Sequence, residues 1–256
     1  MRCRFYRVFN GCALAVAASA LLITAACGGS EEAPPRAAVA NPVDPATAGA
    51  VTGVVKFEGP APAAEPVSMN SDPYCEKQPP IRTETVVVGE GSGLQNAFVY
   101  VKDGLGDRVF PVPSTPVVLD QKGCRYTPHV VGIQVGQTLD LLTSDNTLHN
   151  IHAVPQQNRE FNRALQLAGM KHTHTFSTKE VMVWFKCDVH KWMNAYVGVL
   201  DHPFYAVTTG NGRFELKGLP PGTYTVEAWH EKLGTQTQTV TIGEKQTSDV
   251  AFTFKG

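Results

Sequence analysis

Apolar and polar positions alternate along most of the chain after residue 50. Val51-Thr52-Gly53-Val54-Val55-Lys56-Phe57, Ala97-Phe98-Val99-Tyr100-Val101 and Val181-Met182-Val183-Trp184-Phe185 have this character. So do Tyr196-Val197-Gly198-Val199-Leu200, Thr223–Trp229 and Thr237–Ile242. Each run is short, alternates with period two or is β-branched, and ends at Gly, Pro, Asn or Asp, as in Gly210-Asn211-Gly212 and Pro220-Pro221-Gly222. A period of two puts alternate side chains on opposite faces of a strand, so the pattern predicts an all-β protein built from sandwiches. Residues Asn158–Met170 lack this period and read as a loop with at most a short helix.

Composition agrees with a packed core. Of 256 residues, 43% are hydrophobic and 18% charged, which excludes disorder throughout. The 23 Gly and 18 Pro supply the many turns that short strands need. A formal net charge of −1 provides no basic surplus to neutralise phosphates and argues against a nucleic-acid partner.

Residues 1–26 read as a secretory leader: Arg2, Arg4 and Arg7 precede the uncharged run Cys12–Ala26. That run is short for a membrane span. Leu21-Leu22-Ile23-Thr24-Ala25-Ala26-Cys27 resembles a bacterial lipobox, with Thr24 where Leu is usual, and implies lipidation of Cys27. Ordinary cleavage after small residues is the alternative. Residues 27–49, rich in Ala, Pro, Gly and Glu, read as a flexible tether. Together these predict an exported lipoprotein, periplasmic or at the cell surface, with the membrane as one partner.

Six cysteines are present. Cys3 and Cys12 fall in the leader, Cys27 is the lipid candidate, and Cys75, Cys124 and Cys187 remain. In an oxidising compartment two should pair. Cys187 is followed by His190 and Met193, both metal-ligand types, whereas Cys75 and Cys124 lack such company. The simplest solution is a Cys75–Cys124 disulfide with Cys187 left as a metal-bound thiolate. The competing solution pairs Cys187 with one of the others and leaves no metal site.

The stretch Asn211-Gly212-Arg213-Phe214-Glu215-Leu216-Lys217-Gly218-Leu219-Pro220-Pro221-Gly222-Thr223-Tyr224-Thr225-Val226 resembles the carboxypeptidase regulatory-like, or transthyretin-like, β-sandwich. The tail offers about five strands, short of a seven-stranded sandwich. Gly53-Val54-Val55-Lys56-Phe57-Glu58-Gly59 resembles that family's first strand. The expected organisation is a discontinuous module, 50–106 plus 202–256, with a second module, 107–201, inserted. Two sequential domains are the alternative.

The inserted stretch carries the chemistry. Phe185-Lys186-Cys187-Asp188-Val189-His190-Lys191-Trp192-Met193 brings an apolar strand to a loop holding Cys, then His at +3 and Met at +6. A thiolate, an imidazole and a thioether on one short loop can meet at one ion, and a second His from a neighbouring strand completes a His₂Cys plane with a weak axial Met, a copper-selecting set. Gly136-Gln137-Thr138-Leu139-Asp140-Leu141-Leu142, followed by Ser144–Leu148 and His149-Asn150-Ile151-His152, resembles the cupredoxins, amicyanin and plastocyanin among them. The resemblance implies a Greek-key sandwich with His149, Cys187 and His190 as equatorial ligands and Met193 as axial ligand. Asn150 then hydrogen-bonds the first ligand loop to the Cys loop. Lys191 and Trp192 stand where short-loop relatives favour Pro and Phe. They flank the expected solvent-facing edge of His190, in an apolar patch for docking and electron transfer.

His152 competes with His149 for the first ligand position. His172 and His174 share a strand face and read as solvated or as a second metal site. His129 reads as packed beside the copper loops or as structural, and His230 as a packing residue. No triad, phosphate loop or paired-carboxylate site is recognisable, so no enzyme activity is expected. The leading expectation is a membrane-tethered mononuclear type 1 copper protein that carries one electron, Cu(I)/Cu(II), between redox protein partners. A copper-delivery lipoprotein without redox turnover, and a metal-free adhesion or carbohydrate-binding protein, are the other readings.

Overall fold

The computed structural model describes residues 43–256. The leader, Cys27 and the tether up to residue 42 lie outside the described residues. Sixteen strands account for the architecture. They are β1 (Gly49–Glu58), β2 (Phe98–Asp103), β3 (Val117–Gln121), β4 (Tyr126–Thr127), β5 (Val130–Gln134), β6 (Thr138–Thr143), β7 (His149–Val154) and β8 (Phe161–Leu165). The rest are β9 (Lys171–Thr175), β10 (Glu180–Lys186), β11 (Asn194–Leu200), β12 (Tyr205–Val207), β13 (Arg213–Leu219), β14 (Gly222–His230), β15 (Gly234–Ile242) and β16 (Thr247–Lys255). No helix among the described residues is long and apolar enough to cross a membrane.

Four sheets form two sandwiches. The first packs the sheet β13-β1-β16 on the sheet β12-β2-β14-β15. β1 lies antiparallel to β13 and parallel to β16, while β2 lies between β12 and β14. Alternation drives this layer: Val51, Val55 and Phe57 of β1 point inward with Phe214, Leu216, Phe252 and Phe254, and meet Val99, Val101, Val226 and Ala228 of the facing sheet. Fully burying such a side chain contributes about 1.5–3 kcal/mol. The chain thus leaves this sandwich after β2 and returns at β12.

The nine strands between form the second sandwich, with sheet orders β5-β11-β10-β7-β8 and β4-β3-β6-β9. Its core holds Leu119, Tyr126, Ile133, Leu139, Leu141, Ile151, Phe176, Val183, Phe185 and Val197. The stretch Asn158–Met170, expected as a loop, supplies β8, an edge strand paired with β7 through Ile151↔Arg163 and its neighbours. An edge strand needs few apolar residues because one rim and one face meet solvent, so its alternation is faint.

The sandwiches meet through Phe98, Tyr100, Val130 and Leu200, with Tyr205 and Trp229 packed against them. Close approach depends on two glycines. A Cβ on Gly132 would lie 2.2 Å from the Tyr205 ring, and one on Gly198 2.4 Å from the Phe98 ring.

A strap between β1 and β2 departs from the expected module 50–106. Its neck closes through Val67 N–H to Ile81 O at 3.0 Å and Thr83 N–H to Glu65 O at 2.9 Å. Beyond the neck, Val67, Met69, Tyr74, Cys75 and Ile81 pack on the core of the second sandwich. Cys75 is joined to Cys124 with a Cα–Cα distance of 5.7 Å. Closing a loop of this sequence separation, 49 residues, removes about 4 kcal/mol of denatured-chain entropy in the loop-closure account.

Candidate metal centre

The centre forms where β7 begins and β10 ends. These strands are antiparallel neighbours, with Lys186 opposite His152. That register brings His149, at the head of β7, beside Cys187, just past β10. The loop from Cys187 to Met193 is closed by its own backbone: Cys187 N–H donates to Met193 O at 3.1 Å, and Met193 N–H to His190 O at 2.9 Å. Closure turns His190 back toward Cys187, whose Sγ accepts the His190 backbone N–H at 3.4 Å.

One ligand atom each from His149, Cys187 and His190 lies within 4.8 Å of the other two. Their residue exposures are 0%, 1% and 1%, so water is excluded. Met193 is buried in the same core. The Nδ1 atoms of the two histidines face each other at 2.9 Å, and Cys187 Sγ is 3.9 Å from His190 Nδ1.

Each imidazole is held from behind by a carboxylate. Asp145 Oδ2 lies 3.0 Å from His149 Nε2, and Asp72 Oδ2 lies 3.2 Å from His190 Nε2. An ionised carboxylate only accepts hydrogen bonds, so each Nε2 carries the proton. Two neutral rings so arranged direct two Nδ1 lone pairs at one buried point beside a thiolate. A proton or a metal cation belongs between them, and the N, N, S donor set suits a soft or borderline transition metal.

Ionisation follows the same geometry. Burial alone raises the Cys187 thiol, but hydrogen bonds from His149, His190 and neighbouring backbone groups bring it down to about 6. Burial alone lowers His149, yet its bonds to Asp145 and Cys187 bring it up to about 9. Both shifts favour a thiolate beside a protonated imidazole. Burial also opposes the charge of Asp72, which its bonds to Cys75, Thr147, Tyr74 and His190 nevertheless hold at about 2.

Asn150 joins the two ligand loops. Its Oδ1 accepts the Asp188 N–H at 2.6 Å and lies 3.3 Å from Cys187 Sγ. Its Nδ2 donates to Asn162 Oδ1 at 2.7 Å and Asp188 Oδ2 at 2.9 Å. Behind it, the buried Tyr126 hydroxyl lies 3.2 Å from Asn150 O and 3.0 Å from Lys186 O, next to both ligand strands.

The competing histidines sit elsewhere. His152 is bound by Asp188 Oδ2 at 2.8 Å and Glu160 Oε1 at 2.7 Å, on the outer face of β7. His172 and His174 share one face of β9 beside Phe161. His129 bridges to Glu231 of the first sandwich at 2.6 Å. Among the described residues, every three-donor group capable of holding an ion includes His149 or His190.

The expected solvent-facing edge of His190 is not present. The strap covers it: Asp72 bonds Nε2, and Cys75 Sγ lies 3.8 Å from the same nitrogen. Trp192 is half-buried, its indole N–H donating to Cys124 O at 2.9 Å, while Lys191 is exposed. The exposed apolar residues next to the ligands are Leu148 and Val189, at 44% and 45% exposure. The sequence reading assigned no role to Asp72 or Asp145. Asp145 stood within four residues of a ligand, and Asp72 three residues before a cysteine expected to be tied down.

Fold and site together define an all-β, two-sandwich protein with a buried His₂Cys donor set. Residues 193–255 match the carboxypeptidase regulatory-like domain. That match begins at Met193, just before β11 of the second sandwich, and does not include β1 or β2. No curated protein sequence matches the chain. Among solved structures, a copper-containing nitrite reductase from Thermus scotoductus SA-01 is similar at 20% identity and TM-score 0.32, over 40% of this chain and 26% of that one. The chain thus spans about a quarter of that enzyme's length. A purple cupredoxin from Nitrosopumilus maritimus is similar at 22% identity and TM-score 0.29, over 32% of this chain and 98% of that one. A Cu(I) amicyanin variant is similar at 19% identity and TM-score 0.29, over 40% and 97%.

Proposed function

We propose that this chain is an exported, membrane-tethered mononuclear type 1 copper protein that carries one electron between redox proteins. The observation behind this reading is the convergence of His149 Nδ1, His190 Nδ1 and Cys187 Sγ in a buried pocket. Copper bound there supplies reversible one-electron exchange. The chain's own residues hold the donors rigidly: Asp145 and Asp72 set the imidazole tautomers, and Asn150 and Tyr126 tie the strands that bear the ligands. Were Met193, buried in the same core, to serve as a weak fourth donor, no position would stay open for a substrate, which would favour electron transfer over catalysis. The leader and Cys27 support export and lipid attachment, and a tether raises the local concentration at membrane partners.

Metal analysis and an absorption spectrum of the purified protein test the reading. One copper per chain and an intense visible thiolate-to-copper band are expected, lost in Cys187→Ser while the fold persists. Absence of stoichiometric copper, or survival of the band in Cys187→Ser, refutes it. The covered edge of His190 favours a second reading, in which the centre holds copper without turnover. Reversible one-electron voltammetry supports the carrier, and a colourless site that resists oxidation supports the holder.

A further inference from the structure

We propose that Asp72 is a positioning residue for His190: its carboxylate keeps the imidazole proton on Nε2, aims the Nδ1 lone pair into the centre, and closes the ring edge to solvent. Asp72 reaches the site from 118 positions upstream, on the strap. Its Oδ1 accepts the backbone N–H groups of Tyr74 at 2.8 Å and Cys75 at 3.0 Å. That turn aims Oδ2 at Thr147 Oγ1, 2.9 Å away, and at His190 Nε2, 3.2 Å away. The strap is held at its neck and pinned by the Cys75–Cys124 disulfide, so the carboxylate is fixed before any metal arrives. It stands opposite Asp145, which holds His149 in the same way from the other side.

The consequence for a bound ion rests on the copper reading. A carboxylate hydrogen-bonded behind a ligand imidazole makes that ring a stronger donor. A negative charge beside the centre also favours the more highly charged ion. Asp72 therefore stabilises Cu(II) over Cu(I) and lowers the reduction potential.

Two variants of the full mature protein test this. Asp72→Asn loses the charge and keeps one acceptor oxygen, for either the Tyr74 and Cys75 N–H groups or the His190 Nε2–H, whereas Asp72→Ala loses the charge and both acceptors. In the metal-free protein, NMR of the His190 ring should show a slowly exchanging Nε2–H, exchanging roughly tenfold faster in Asp72→Ala, the equivalent of one lost hydrogen bond. In the copper-loaded protein both variants should keep the thiolate-to-copper band and show a higher potential than the parent. A His190 Nε2–H that exchanges as freely as a surface histidine in the parent, or an unchanged potential in Asp72→Asn, overturns the proposal. A free-thiol count equal to the parent's confirms that the disulfide stays intact; should Asp72→Ala lose it, Asp72→Asn alone decides. If the parent binds no copper, the proposed function fails, while the exchange comparison still decides the Asp72–His190 bond.

Discussion

Replacing Asp145 with Asn separates what this buried carboxylate does for the fold from what it does for the ion. Asp145 is buried. Oδ1 accepts the Gly123 N–H at 2.7 Å, and Oδ2 accepts the Cys124 N–H at 2.8 Å and the His149 Nε2–H at 3.0 Å. Burial pushes its pKa up, but the bonds from His149, Cys124 and Gly123 outweigh that and hold it below the ordinary carboxylate value. An asparagine has one acceptor oxygen. If that oxygen serves Cys124 and His149, its NH₂ group points at the half-buried Gly123 N–H, two donors facing each other. One orphaned buried donor costs about 1–3 kcal/mol, and the lost charge weakens the remaining bonds, so the metal-free protein should lose about 2–4 kcal/mol. Removing an outer hydrogen-bond partner of a ligand histidine typically lowers metal affinity 10–100-fold, or about 1.4–2.7 kcal/mol. Urea denaturation of the metal-free protein reads the first quantity, and copper competition against a chelator of known affinity reads the second. Asp145→Asn with the parental urea midpoint and parental copper affinity would show that the carboxylate neither supports the loop nor orients His149.

Other outcomes follow from the same contacts. His152→Ala should leave copper stoichiometry and the visible band nearly unchanged, because that ring is engaged by Asp188 and Glu160 outside the centre; loss of the band would transfer the ligand role to it. Gly198→Ala places a methyl group 2.4 Å from the buried Phe98 ring and should cost about 1–3 kcal/mol, seen as a lower thermal midpoint with the copper spectrum preserved. His230 is buried with no partner on Nε2, and burial lowers it from 6.5 to about 4. Its neutral form is the one the fold holds, so its contribution is complete above pH 6.5 and is lost as pH falls from 6.5 toward 4. The loss reaches about 3 kcal/mol at most. His230→Phe should flatten that acid limb in denaturation measured against pH, and an unaltered limb would assign the acid sensitivity to other groups.

The donor cluster was legible in the chain because part of it is local. Cys187 and His190 occupy one short loop, and a strand pattern on either side shows what delivers it. The strands of both sandwiches were legible for a related reason, since period-two burial leaves its mark on residues such as Val51, Val55 and Phe57. Asp72 was not legible. Its role exists only once a disulfide and a backbone turn bring it to a histidine 118 positions away, and an exposed-looking Asp-Pro dipeptide carries no sign of that. The strap also hid its allegiance: Met69 and Cys75 lie between two strands of the first sandwich in sequence but pack on the second. β8 escaped notice because an edge strand such as Phe161–Leu165 buries little. The covered edge of His190 follows from these same contacts, which a reading of separate segments could not join.

The order in which the strands pair bears on how the molecule is made. β1 is synthesised early, yet its parallel neighbour is β16, the last strand of the sequence. Pairings between such distant segments are slow to form, because a long loop must close before any contact rewards it. β3 to β11, by contrast, find all their sheet partners among themselves, and the strap that covers His190 precedes them. The half that bears His149, Cys187 and His190 can therefore ripen on an incomplete chain, while β1 and β2 wait for strands β12 to β16. Truncations that remove β16 should accordingly leave β1 paired with β13 alone, its other edge open to other molecules, long before they disturb the candidate metal pocket.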